Sequence, residues 1–278
     1  MSPGLRALLA DVWRRPSGRA GLLILAGLVL TGLVGPYLVV DPFAMVDAVG
    51  HRLLPPGPGH PFGTDNLSRD ILARVVNGAR ISLSVATLAV LLSATVGTAV
   101  GLCAGFFGGW PDVLLMRSVD AALAIPRIFV LLLLVALWEQ IPLPALIAVL
   151  GFTSWFGTSR LVRAEALRIR EEPFVKSAEA LGASRRRIIF RHLLPNVLGP
   201  VLVSATLGVG DLILVEAGLS YFGLGMHPPT PSWGAMIHEM VASAPWTYLF
   251  PGLAIVTTVL SVNLVGEALR DAVDPRNA

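Results

Sequence analysis

Several residue pairs in this chain begin motifs that do chemistry, and each motif breaks off. His238-Glu239 could open a zinc-protease helix of form H-E-x-x-H, but Ala242 stands where the second histidine belongs. Gly218-Leu219-Ser220 could open a serine nucleophile elbow, G-x-S-x-G, but Phe222 stands at the closing glycine, leaving Ser220 as a small turn residue. Lys176-Ser177 resembles the end of a phosphate-cradling loop, which needs glycine before its lysine; Val175 precedes Lys176, the only lysine in the chain. Cys103 is the single cysteine, which excludes an intramolecular disulfide and a cysteine metal cluster. It lies in an apolar run and reads as a small core residue. The residues therefore predict no catalytic centre, and any ATP used is hydrolysed by another subunit.

What remains is a set of charges inside apolar sequence. Asp120 precedes one such stretch, Arg127 lies within it, and Asp211 and Glu216 lie within another. Ionisable groups at membrane depth are functional candidates by default. Asp211 and Glu216 are five apart and do not share a tight helix face at i+3 or i+4. Asp211 reads equally as a cavity-lining residue or a partner in an internal hydrogen bond. Arg127 could pair with Asp120 across two helical turns or extend to an interface.

The elements that would carry these charges are membrane spans. The chain has 278 residues, 54% hydrophobic and 14% charged, against about 25% charged in a soluble domain. Its mean hydropathy is +0.73, so lipid is the expected solvent. Charge-free runs cover Ala20 to Val40, Ile81 to Pro111, Gln140 to Ser159 and Met240 to Gly266, each long enough to cross a bilayer. Ala121 to Trp138 and Asn196 to Leu219 add two more and bring the expected number of transmembrane helices to six. Pro126 should kink or delay the first of these two. The first run is too long for a signal h-region and no A-x-A-like site follows it, so it reads as an uncleaved span.

Arginines orient the spans. Arg6, Arg14, Arg15 and Arg19 precede the first; Arg160, Arg163, Arg168, Arg170, Lys176, Arg185, Arg186, Arg187 and Arg191 crowd one segment; Arg270 and Arg276 close the chain. The positive-inside rule then places both termini in the cytoplasm. Residues 41–80 fall outside, where Arg52, Arg69, Arg74 and Arg80 conflict with that rule and Asp41, Asp47, Asp65 and Asp70 balance them in formal charge. The net charge of +3 is explained by this loop asymmetry, and nucleic acid is not an expected partner.

Within the basic segment, Pro173 suits a first helical turn, Glu171 and Glu172 favour its N-terminal end, and Gly182 suits its stop. Phe174, Ala178 and Leu181 fall at i, i+4 and i+7, one apolar stripe on a helix of about nine residues. Spacing alone leaves two readings: a connector lying on its own protein or on lipid, and a helix docked into a partner's groove. The loop after Gly218, with Pro228, Pro229, Pro231 and Trp233, reads as an external receiving surface or as an interfacial loop with aromatic anchors.

Ala178, Gly182 and Leu194-Pro195 lie at the spacing of the EAA loop, which it resembles, of ABC importer permeases. That loop reads E-A-A, three residues, Gly, nine residues, I-x-L-P; here Lys176-Ser177-Ala178 and His192-Leu193-Leu194-Pro195 depart at the leading acid, the first alanine and the isoleucine. Segments 60–70 (HPFGTDNLSRD), 77–83 (NGARISL), 181–196 (LGASRRRIIFRHLLPN), 219–234 (LSYFGLGMHPPTPSWG) and 264–276 (LVGEALRDAVDPR) resemble, in order, the C-type permease of the dipeptide/oligopeptide/nickel ABC importer family. The resemblance implies an all-α, six-span type I importer permease of the bacterial inner membrane. Its implied domains are 1–79 (leader, first span, external segment), 80–269 (a five-helix permease core) and 270–278 (a cytoplasmic tail). It implies a B-type permease, two ATPase subunits and an extracytoplasmic binding protein as partners, with ATP and magnesium held by the ATPases and no cofactor or metal in this chain.

It also implies that Pro173, Phe174, Lys176, Ser177, Ala178, Leu181 and Gly182 form the ATPase-coupling helix, and that Glu216 has a structural or gating role before the LSYFGLG turn. Peptide is the expected cargo, the external loops lacking His or Cys clusters suited to nickel. A nickel importer, an ion-coupled secondary transporter built of inverted repeats with broken midplane helices, and a membrane enzyme are the alternatives.

Overall fold

The computed structural model describes residues 5–45, 50–226 and 229–273, with side chains from Leu8 onward. Asp47, Pro228, Arg276 and the Arg6 side chain, used in the readings above, lie outside what is described.

Regular structure among the described residues is helical, apart from isolated bridges in the loops. An amphipathic α1 (Leu5–Arg14) leads into α2 (Pro16–Val34), which is apolar on every side and turns Leu23, Leu30 and Leu33 outward, as a lipid-facing helix does. The central helix α3 (Ile71–Phe107) is followed by α4 (Gly109–Leu123), α5 (Arg127–Val135), α6 (Leu143–Phe152) and α7 (Trp155–Arg170). Short helices α8 (Pro173–Ala180) and α9 (Arg185–Ile188) pass through a wide π turn, Ile189–Leu193, into α10 (Leu194–Tyr221). The short α11 (Trp233–His238) and long α12 (Trp246–Val273) complete the order.

Local chemistry sets these boundaries. The Asp70 carboxylate accepts from the Ala73 amide at 2.8 Å and caps α3, satisfying a donor that has no partner within the helix. Gly108, at φ 61°, ends it. Residues 124–126 separate α4 from α5 because Pro126 cannot donate and biases Ile125 away from helix.

Four helical stretches are long and apolar enough to cross a membrane: 16–37, 71–107, 185–221 and 246–273. Two more qualify as broken spans, α4 with α5 bent by 80° and α6 with α7 bent by 41°. The protein is a multi-pass helical membrane protein.

The tightest helix pair is α3 against α7. Gly97, Gly101 and Gly105 repeat every fourth residue along α3. A Cβ there would stand 2.7 Å from the Thr158 Cβ, 2.6 Å from the Ser159 carbonyl oxygen and 2.7 Å from the Ala166 Cβ. The bare glycine stripe lets the backbones meet, the interaction that drives helix association in lipid where apolar burial gives no preference. Helices α10 and α12 pack beside α3, and α2 closes against α12.

The two ends of the bundle are distinct. At one, Arg15 Nη1 meets Asp271 Oδ2 at 2.7 Å, Leu8 and Val12 of α1 are buried, and Gly199 abuts Val273. This end also carries α8 and α9. The other end gathers the start of α3, α11, the end of α10 and the start of α12.

Several expected boundaries move. The run predicted from Ile81 begins at Ile71, so Arg74 and Arg80 are helical; the run predicted from Met240 begins at Trp246 and continues through Arg270 to Val273. The 79/80 and 269/270 boundaries therefore fall inside helices. The Gln140–Ser159 span breaks at Thr153-Ser154, and Arg160 to Arg170 continue α7 rather than forming a loop. Hydropathy measures the length in lipid; backbone hydrogen bonding is indifferent to it and carries each helix beyond the charge-free run. Cys103 is exposed on α3, not a core residue.

Candidate functional site

Helix α8 is eight residues long and projects from the basic end. Gly182, at φ 77°, ends it in a left-handed conformation that a side chain would strain. Val175 anchors it, fully buried with Leu102, Phe106 and Ile169. The predicted stripe does not make that contact. Phe174 is 46% exposed, Leu181 88%, and Ala178 is half-buried. Lys176 and Ser177 are exposed, Lys176 pairing with Glu171 at 3.2 Å. Arg185, Arg186 and Arg187, on the next helix, are exposed as well. An apolar row facing outward on a helix held by one buried residue is a surface shaped for a partner's groove.

The opposite end holds a buried charge network. Asp65 Oδ2 accepts from Arg69 Nε and from Arg74 Nη1, both at 2.6 Å, and Glu239 Oε2 accepts from Arg69 Nη2 and Arg74 Nη1, both at 2.7 Å. Two guanidinium groups and two carboxylates cancel, and each arginine side chain is 4% exposed or less. This arrangement accounts for two of the four arginines that conflicted with the positive-inside rule: Arg69 and Arg74 are internal ties, not loop charges. The network clamps the 53–70 loop and the end of α11 onto the start of α3. His60 Nδ1 lies 2.8 Å from Asp70 Oδ2, and Trp246 Nε1 donates to the Thr64 carbonyl at 3.1 Å.

Glu216 is buried beneath this clamp. Its Oε1 accepts from the Ser220 hydroxyl at 2.9 Å and the Ser232 hydroxyl at 2.8 Å, and Ser232 in turn caps α11 by accepting from the Ala235 amide. Ser220 is thus a buried donor in the last turn of α10, not a turn residue. Trp233 is not an interfacial anchor. It is 1% exposed, seated against Gly78, and donates from Nε1 to the Val75 carbonyl at 3.0 Å.

Between the two ends lies a cavity of about 160 Å³. Both broken spans open onto it: Arg127 begins α5 just past one break, and Ser154 sits in the other. Arg127 Nη1 meets Asp211 Oδ2 of α10 at 3.1 Å and Nη2 donates to the Ser154 hydroxyl at 2.7 Å. Of the two readings of Arg127, the pair with Asp120 does not form. The break turns Arg127 away from α4, and Asp120 pairs instead with Arg160 of α7. Asp211 is both a cavity-lining residue and an ion-pair partner, joining the two alternatives of the sequence reading. Non-helical backbone is tolerated at membrane depth where it is enclosed by protein or borders a polar cavity. Broken helices were also the expected mark of a secondary transporter, so they do not separate the transport classes here.

The model of the family described as "Binding-protein-dependent transport system inner membrane component" matches residues 97–278. The dipeptide transport system permease protein DppC of Alkalihalophilus pseudofirmus is 43% identical over 260 residues, covering 92% of this chain and 84% of that protein. A putative peptide permease protein of Brucella suis is 40% identical over 272 residues, covering 92% and 86%. The oligopeptide transport system permease protein OppC of Haemophilus influenzae is 38% identical over 282 residues, covering 98% and 90%. With its broken and unbroken spans, its projecting α8 and these relatives along nearly its whole length, the chain belongs to the family of binding-protein-dependent transport system inner membrane components, as a permease subunit.

Proposed function

We propose that this chain is the C-type permease of an ATP-driven peptide importer in the bacterial plasma membrane. The relatives' names as dipeptide and oligopeptide permeases support the cargo. Six spans, counting each bent pair as one, would leave both termini in the cytoplasm. Support comes from the Arg15–Asp271 contact between the chain's ends and from the basic residues of α7 to α9 at the same end. The partners in this reading are a B-type permease, two ATPase subunits that hold ATP and magnesium, and an external binding protein.

The observation that carries the reading is the outward-facing pair of Phe174 on α8 and Leu181 just past its end. Seated in an ATPase groove, α8 moves when the ATPases close on ATP. Val175 passes that displacement to α3 and α7 through Phe106 and Ile169, and the bundle alternates between inward- and outward-open forms as a rigid body. This chain supplies path and lever; the energy comes from the partners.

The test is a double substitution, Phe174→Asp with Leu181→Asp. Both side chains are exposed, so insertion and folding should persist while ATPase subunits no longer co-purify in mild detergent and uptake ceases. Retained assembly and transport would remove α8 as the coupling helix.

A further inference from the structure

We propose that Arg127 and Asp211 form a substrate-reading pair within the membrane. In this role Arg127 takes the terminal carboxylate of a passing peptide and Asp211 its ammonium end. The inference rests on the peptide-importer reading above and names the residues of this chain that would contact the cargo.

Four observations converge on this pair. First, its depth: Asp211 lies ten residues before the end of α10 at Tyr221, about 15 Å at 1.5 Å per residue, half of a bilayer core of about 30 Å. Second, its setting: the cavity places Arg127 and Asp211 with the hydroxyl side chains Ser93, Ser154, Thr158 and Ser204, a concentration of hydrogen-bonding groups contributed by four helices and a break.

Third, the pair is incompletely satisfied. Arg127 Nε is buried with no hydrogen-bond partner among the described residues, and the Asp211 side chain is 63% exposed. At the other end of the bundle each arginine is closed off by two carboxylates, so this chain does bury arginine fully where the role is structural. Fourth, Arg127 opens α5, at the helix end whose dipole repels a cation. A structural arginine gains nothing from the dipole there. An anion-binding one gains the helix N-terminus as a second source of positive potential.

A carboxylate is the ligand that matches a guanidinium fork, through paired N–H donors. Exchange rather than creation of ion pairs also fits transport. With the cavity empty, Asp211 neutralises Arg127; with peptide present, the peptide's two termini replace the two side chains for one another. Each charge keeps a partner during passage, which limits the cost of carrying a zwitterion through apolar surroundings.

The experiment uses the whole complex, with its own second permease, ATPases and binding protein, in liposomes with internal ATP. The probes are radiolabelled trialanine and its C-terminal amide, each at a concentration that saturates the binding protein by calorimetry. The proteins compared are the wild type, R127Q, D211N and the charge-neutral R127Q/D211N. R127Q should lower trialanine uptake at least tenfold and amide uptake less than threefold. R127Q/D211N leaves no unpaired charge and should show the same selectivity, which separates reading from misfolding.

Equal losses for acid and amide, or no loss for either, would overturn the proposal while wild-type uptake of trialanine keeps the importer reading intact. Loss of the second permease from R127Q/D211N would make the pair an assembly contact and overturn it likewise. A wild-type complex that imports neither trialanine nor its amide would overturn both readings together.

Discussion

Glu239 offers a sharp test of the buried clamp. Its Oε2 bridges Arg69 and Arg74 at 2.7 Å each, and Asp65 bridges the same two arginines from the other side. Glu239→Gln keeps the shape and an oxygen acceptor but removes one negative charge, leaving two buried guanidinium groups facing one carboxylate. Removing one partner from a buried ion pair costs about 3–5 kcal/mol, because the remaining charge cannot regain water. At about 2–4 °C per kcal/mol for a chain of this size, the melting temperature should fall by about 6–20 °C. Trp233 and Trp246 lie in the same end of the bundle, so intrinsic fluorescence during a thermal ramp in detergent reports the transition. The double variant Arg69→Gln with Glu239→Gln restores neutrality, one arginine against one aspartate, and should melt above the Glu239→Gln single. If the double variant loses the sum of the two single losses, or if Glu239→Gln melts within 2 °C of the wild type, the network is not acting as a charge-balanced clamp.

Three further outcomes follow from packing and hydrogen bonding. Gly101→Val should destabilise by about 1–3 kcal/mol through overpacking, since even a Cβ there meets the Ser159 carbonyl at 2.6 Å; Gly27→Val, with nothing within 4 Å, should leave melting unchanged. Glu216→Ala strands the Ser220 and Ser232 hydroxyls and should cost about 1–3 kcal/mol for each left unsatisfied, whereas Glu216→Gln keeps the acceptor oxygen and should cost less, the two compared by thermal melting. Trp233→Phe, which loses one donor to Val75, should cost about 1 kcal/mol, and Trp233→Ala, which opens a void against Gly78, about 3–5 kcal/mol.

The spans were legible because a charge-free run of lipid-crossing length is a local property of the chain. So was the break at Pro126, where one residue removes a donor and constrains its neighbour, and so was the stop at Gly182. The α3–α7 seam was legible in principle, as glycines at 97, 101 and 105, but its signal is the absence of side chains inside a run already explained as a span. What the sequence could not supply were partners distant along the chain. Glu239 sits 170 residues from Arg69 and drew notice only beside His238, as half of a zinc motif. Asp211 is 84 residues from Arg127, and the local candidate Asp120 was the wrong one because the 80° bend sends the two sides of the break in different directions. The Phe174–Leu181 stripe was correct as periodicity, but periodicity does not say whether a stripe faces inward; Val175, off the stripe, makes the buried contact.

The position of the two breaks connects the projecting helix to the cavity. Helix α7 has sixteen residues, about 24 Å of rigid rod at 1.5 Å per residue. At one end Ile169 shares a buried cluster with Val175 of α8, and at the other Gly157 and Thr158 line the cavity. The glycine seam locks α7 to α3 backbone against backbone, so displacing α8 moves both together with little loss to side-chain rearrangement. A rigid pair must turn somewhere, and Thr153-Ser154 and residues 124–126 are two of the places where helix is interrupted. These are the breaks that carry Ser154 and position Arg127, whose guanidinium bridges them through its 2.7 Å bond to Ser154 and reaches α10 through its 3.1 Å contact with Asp211. In the proposed cycle, motion imposed at α8 therefore arrives as a change in the distance between the groups that would hold the cargo, and the ion pair is placed where substrate and lever act on the same side chain.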